Sequence, residues 1–106
     1  MLHSKKPNFF LVGAPKCGTT FIYNSLREHP DIYLAEQKEL HFFAPDLYPP
    51  NYISEKQYHK TFENALSEKI IGEASVWYLY SDVAARLIKE YNSEAKILIR
   101  SSSIDR

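Results

Sequence analysis

Phe9-Phe10-Leu11-Val12-Gly13-Ala14-Pro15-Lys16-Cys17-Gly18-Thr19-Thr20 runs from an apolar strand through a glycine-bounded loop into a helix-compatible segment, Phe21 to Glu28. Strand, loop and helix start in that order form a phosphate cradle. Gly13 and Gly18 permit the tight path that aims successive backbone N–H groups at one anion. The helix macrodipole adds roughly half a positive charge at that end. Each N–H bond to a charged oxygen contributes about 1.5–3 kcal/mol, so the backbone alone can hold a phosphate.

The spacing Gly13-x-x-x-x-Gly18 is that of a nucleotide-binding P-loop, yet Thr19 stands where an NTPase carries its lysine. The lysine sits inside the loop instead, at Lys16. Without the Lys-Ser/Thr pair that reaches the terminal phosphates and magnesium, triphosphate chemistry is disfavoured. A cation within the loop suits a smaller transferring group. Cys17 at a helix start could have a lowered pKa, but a cysteine-phosphatase loop needs arginine at the sixth place after it, and Tyr23 is there.

At these residues the chain resembles the sulfotransferases that use 3′-phosphoadenosine 5′-phosphosulfate (PAPS), whose donor loop reads P-K-x-G-T-T. Pro15-Lys16-Cys17-Gly18-Thr19-Thr20 matches it throughout. Lys38-Glu39-Leu40-His41-Phe42-Phe43, Gly72-Glu73-Ala74-Ser75 and Lys96-Ile97-Leu98-Ile99-Arg100 follow in the family's order. The resemblance implies that Lys16 contacts the bridging oxygen of the donor, that Gly18, Thr19 and Thr20 hold the 5′-phosphate, and that Arg100 binds the 3′-phosphate. It makes Glu39 the general base, with His41 as the competing base. A base partly desolvated by Phe42 and Phe43 would have a raised pKa, useful near neutral pH.

The end of the chain departs from the pattern. The family continues R-x-P-x-x-R and then a phosphate-binding serine, whereas this sequence reads Arg100-Ser101-Ser102-Ser103-Ile104-Asp105-Arg106. The chain stops before the family's remaining strands, so residues 1–106 are expected to be one domain that is the amino-terminal part of a sulfotransferase. An open sheet edge would then favour self-association or a partner chain that completes the fold.

Composition is consistent with this reading. The 106 residues are 44% hydrophobic, with thirteen basic and thirteen acidic side chains. One modest core can form, and no overall field steers the chain to nucleic acid. No stretch reads as a signal peptide or membrane span, and one cysteine cannot form an internal disulfide, which makes the cytoplasm the expected compartment. His3, His29, His41 and His59 lack metal-ligand spacing, so no metal is expected.

The order of elements predicts an α/β fold, a parallel sheet with flanking helices. Phe9–Val12, Ile70–Ser75 and Ala95–Ile99 are expected strands, ending at a ligand-binding carboxyl edge. The resemblance implies a P-loop nucleotide-kinase-like arrangement with the first and third of these adjacent. A first helix runs from Thr19 or Thr20 to before Pro30, with Ile22 and Leu26 on the sheet and Tyr23 and Arg27 at the flank. Asp31–Ala35 is of mixed character, Ala44–Tyr58 reads as a long surface loop and Lys60–Glu68 as a short helix. Asp82–Tyr91 is a helix with Ser81 as N-cap.

Three functions fit. The first is metal-free sulfuryl transfer from PAPS to a hydroxyl on a carbohydrate or small metabolite. The second is a P-loop nucleotide kinase, testable by magnesium-dependent ATP binding. The third is a donor-binding module without turnover.

Overall fold

The computed structural model describes residues 6–12, 19–36, 39–48 and 52–99. Strand β1 (Phe9–Leu11) leads by way of α1 (Thr19–Arg27) to β2 (Ile32–Leu34), and α2 (Glu55–Lys60) precedes β3 (Ile70–Ala74). A 3₁₀ helix over Val76–Tyr80, then α3 (Ala84–Tyr91), connect β3 to β4 (Lys96–Leu98). All pairings are parallel and the strand order is β2-β3-β1-β4. Leu11 stands opposite both Ala74 and Leu98, so the expected adjacency of the first and last strands holds.

The strand period sorts the core into two layers. Phe10 and Val12 face one cluster, with Tyr58 of α2, Tyr78 of the 3₁₀ helix, and Ala84 and Ile88 of α3. Leu11 faces the other, with Tyr23 of α1 and Leu34, while Ile22 and Leu26 pack against its margin. Gly72 of β3 lies so close to β1 that a Cβ there would stand 2.6 Å from the Phe9 carbonyl oxygen.

Several sequence expectations need correction. Tyr23 is buried, not at the flank: its hydroxyl donates to the carbonyls of Ala35 and Glu36, fixing α1 to the end of β2. Ile32–Leu34 is a strand, its mixed polarity fitting the edge of the sheet, where one side meets solvent. The second helix occupies Glu55–Lys60 instead of Lys60–Glu68, because Ser54 and Gln57 form a reciprocal capping box at its start. The expected loop 44–58 thus ends in a helix whose Tyr58 is fully buried. α3 begins at Ala84, not Asp82; the Ser81 hydroxyl still accepts from the amides of Val83 and Ala84. Ser81 also donates to Asp46, which ties the 44–48 stretch to the start of α3.

Candidate functional site

β3 ends in Glu73-Ala74, and Ser75 follows before the chain turns into the 3₁₀ helix. Opposite Phe10 in the parallel register, Glu73 carries its carboxylate into the aromatic layer, fully buried. Three hydroxyls converge on it. Tyr58 donates to Oε2 at 2.5 Å, Tyr78 to Oε2 at 3.0 Å, and Ser75 to Oε1 at 2.5 Å. Burial outweighs these bonds and pushes the Glu73 carboxyl up to about 7, while burial first and the Glu73 charge second hold Tyr58 and Tyr78 well above the ordinary phenol value.

Alongside, residues 39–43 are fastened to the carboxyl end of β3 by alternate backbone amides. Glu39 N–H donates to the Ala74 carbonyl at 2.7 Å, His41 N–H to Ser75 Oγ at 3.1 Å, and Phe43 N–H to the Tyr78 hydroxyl at 3.1 Å. The fastening holds an unfavourable backbone, since Glu39 and His41 have φ of 61° and 55°, in the left-handed region. That conformation costs roughly 1–2 kcal/mol for a residue with a Cβ.

The two side chains face each other. His41 Nε2 lies 3.3 Å from Glu39 Oε1, with the imidazole buried and the Glu39 side chain 37% exposed. Tyr48 stacks on the imidazole with ring centroids 4.1 Å apart, and Tyr52 closes in at 5.8 Å. Burial holds the His41 pKa below its usual value, so the ring is neutral at pH 7. His41 Nδ1 has no hydrogen-bond partner among the described residues, which leaves the Nε2 proton facing Glu39. Phe42 and Phe43 are engaged with Tyr58, the former stacked at 4.4 Å. A cleft of ≈ 320 Å³ beside the segment is lined by Leu40, Tyr52, Ile53, Gln57 and Thr61.

Thr19 opens α1, and Thr20 is exposed in its first turn. No acidic residue occupies that turn to neutralise the helix dipole, as an anion site requires. Pro15, Lys16, Cys17, Gly18 and Arg100, all singled out in the sequence, lie outside the described residues. The chain enters 13–18 from the carboxyl end of β1, the edge at which Glu39 is fastened to Ala74, the register partner of Leu11. Among the described residues, no three His, Cys, Asp or Glu side chains gather as a metal site, and no helix is long and apolar enough to cross a membrane.

Sequence reasoning quoted Glu73 and Ser75 but gave them no role, and it read Tyr58 as part of a loop. The available signal was a carboxylate near the end of an apolar strand, with tyrosines following at Tyr78 and Tyr80.

Comparison with known proteins agrees with this fold. A family profile described as "Sulfotransferase family" matches residues 7–102. The crystal structure of a sulfotransferase from Alicyclobacillus acidocaldarius superposes with a TM-score of 0.82 at 37% identity, covering 89% of this chain and 43% of that one. Membrane-associated sulfotransferase kil1 of Dictyostelium discoideum is 35% identical over 104 residues, 94% of this chain and 21% of that protein. Human carbohydrate sulfotransferase 15 is 46% identical over 38 residues, 36% of this chain and 7% of its own. The chain therefore spans about a fifth of the amoebal relative and under half of the solved bacterial one. With a parallel sheet of the same architecture and a family match over nearly its whole length, this chain belongs to the sulfotransferase family.

Proposed function

We propose that the chain carries the donor loop and general base of a sulfotransferase that uses PAPS and delivers the sulfuryl group to a hydroxyl on a carbohydrate or small metabolite. The observation that carries this reading is the placement of the Glu39–His41 pair at the sheet edge from which β1 passes into residues 13–18. Bound donor supplies an electrophilic sulfuryl group and an anionic leaving phosphate. Lys16 would hold the donor beside its transferring group, Gly18, Thr19 and Thr20 would hold the 5′-phosphate, and Arg100 the 3′-phosphate. Pro15 and Cys17 complete the loop, and no metal is needed.

Glu39 takes the proton of the acceptor hydroxyl, a task that suits a carboxylate partly open to solvent, and its neighbour Leu40 lines a cleft. His41, buried and neutral, orients Glu39 through Nε2 instead of acting as the base itself. The ≈ 320 Å³ cleft, with Tyr52 and the polar ends of Gln57 and Thr61, offers both a face and hydrogen-bonding groups to an acceptor. The carbohydrate sulfotransferase among the relatives supports a sugar acceptor.

A second reading rests on length. Because the chain spans 43% of the solved relative, it acts on this view as one donor-binding unit that needs further polypeptide for turnover. Calorimetric titration with 3′-phosphoadenosine 5′-phosphate tests both. Saturable binding that weakens in Lys16→Ala and Arg100→Ala supports a working donor site, and turnover with added acceptor then separates enzyme from module. A folded chain that does not bind overturns both.

A further inference from the structure

We infer that Glu73 is a positioning residue for the base: through the hydroxyls of Ser75 and Tyr78 it fixes the backbone amides of His41 and Phe43, and so holds Glu39 and His41 in their left-handed conformation. The inference rests on the reading of Glu39 as the base, and it assigns a task to a carboxylate that donor binding does not use.

Connectivity carries it. Each of two hydroxyls that donate to Glu73 also accepts an N–H from the 39–43 segment. Ser75 joins Glu73 Oε1 to His41 N, and Tyr78 joins Glu73 Oε2 to Phe43 N. An ionised carboxylate accepts from both hydroxyls at once, which turns both oxygen lone pairs toward the amides. A carboxamide at position 73 replaces one acceptor with a donor and cannot serve both branches. Tyr58, the third donor, reaches Glu73 from α2 and has no bond to the segment among those described.

A carboxylate buried only to fill space is costly, since desolvation is the leading influence on Glu73. The groups that face it are Tyr58 of α2, Tyr78 of the 3₁₀ helix, Tyr91 of α3 and, at longer range, Glu39 itself. After burial, the Glu39 charge also acts to raise the Glu73 carboxyl.

The test is amide hydrogen exchange and carboxyl ¹³C titration by NMR on the whole 106-residue chain, in wild type, Glu73→Gln, Ser75→Ala, Tyr78→Phe and, as a control, Tyr58→Phe. Ser75→Ala is expected to speed exchange at His41 about tenfold, and Tyr78→Phe to do so at Phe43. Glu73→Gln is expected to speed at least one of the two, while the Ala35 amide, bonded to Gly72 in the sheet, stays within about twofold. The Glu39 carboxyl resonance is expected to show an inflection near pH 7 from Glu73 that vanishes in Glu73→Gln and persists in Tyr58→Phe. Unchanged His41 and Phe43 exchange in a folded Glu73→Gln chain, with the Glu39 inflection retained, overturns the inference. If Glu73→Gln loses sheet protection, the two single-hydroxyl variants decide by the same criterion. None of these readouts requires donor, so failure to bind 3′-phosphoadenosine 5′-phosphate overturns the sulfuryl-transfer reading while the linkage stands or falls on exchange.

Discussion

His41 holds Nε2 3.3 Å from Oε1 of Glu39, one partner buried and the other open to solvent. An imidazole kept neutral by burial beside a half-open carboxylate is an arrangement for aiming a base, because the buried partner cannot easily take up the proton itself. Glu39→Gln is expected to lower turnover by about 10²–10⁴-fold, the usual contribution of a general base. Titration with 3′-phosphoadenosine 5′-phosphate should show unchanged donor affinity, and equal loss of both would remove the base assignment.

Stability should fall as pH rises toward neutrality. The Glu73 carboxyl is raised from 4.5 to about 7 in the folded state, so its contribution is fully present below 4.5 and lost as pH rises through about 7. At ~1.4 kcal/mol per unit the whole span is about 3 kcal/mol. Urea unfolding across that range in wild type and Glu73→Gln should show the slope in the first and its loss in the second. His41 has the opposite sign, its burial-lowered pKa making stability rise with pH, so a falling slope is the mark of Glu73.

Gly72→Ala is expected to destabilise the chain by about 1–3 kcal/mol. The new methyl would stand 2.6 Å from the Phe9 carbonyl oxygen and 2.8 Å from the Phe9 ring, and the first of these is backbone held in the β1–β3 ladder. A thermal midpoint equal to wild type would show that the two strands can part without cost.

Tyr23→Phe removes a buried hydroxyl that donates to the carbonyls of Ala35 and Glu36. Loss of about 1–2 kcal/mol is expected, measured by denaturant midpoint at unchanged slope. Proteolysis should become faster near residue 36, where α1 and β2 are otherwise held by the small Leu11–Tyr23–Leu34–Ala74 cluster.

The sequence made the framework legible where one signal dominated. Phe9 to Val12 and Ala95 to Ile99 read as strands from their short apolar runs, and Asp82 to Tyr91 as a helix because its apolar positions recur at helical spacing; the observed elements lie inside these bounds. Ile32–Leu34 was hidden by its shortness, since three residues give no period to read. The α2 helix was obscured by the surrounding prolines and tyrosines, although Ser54-x-x-Gln57 was present as a cap. Of the candidate site, the family resemblance singles out Glu39 and His41 as competing bases, but neither their pairing nor the hydroxyl network was legible. Tyr58, Ser75 and Tyr78 reach Glu73 from different elements, and only the packed sheet brings them together.

The left-handed backbone at Glu39 has a consequence for how this protein would evolve under heat. Glycine adopts that conformation freely, and at a partly exposed position little packing would be lost. Selection for thermal tolerance alone would therefore favour Glu39→Gly, whereas selection that also demanded catalysis would retain the glutamate and seek its gains elsewhere.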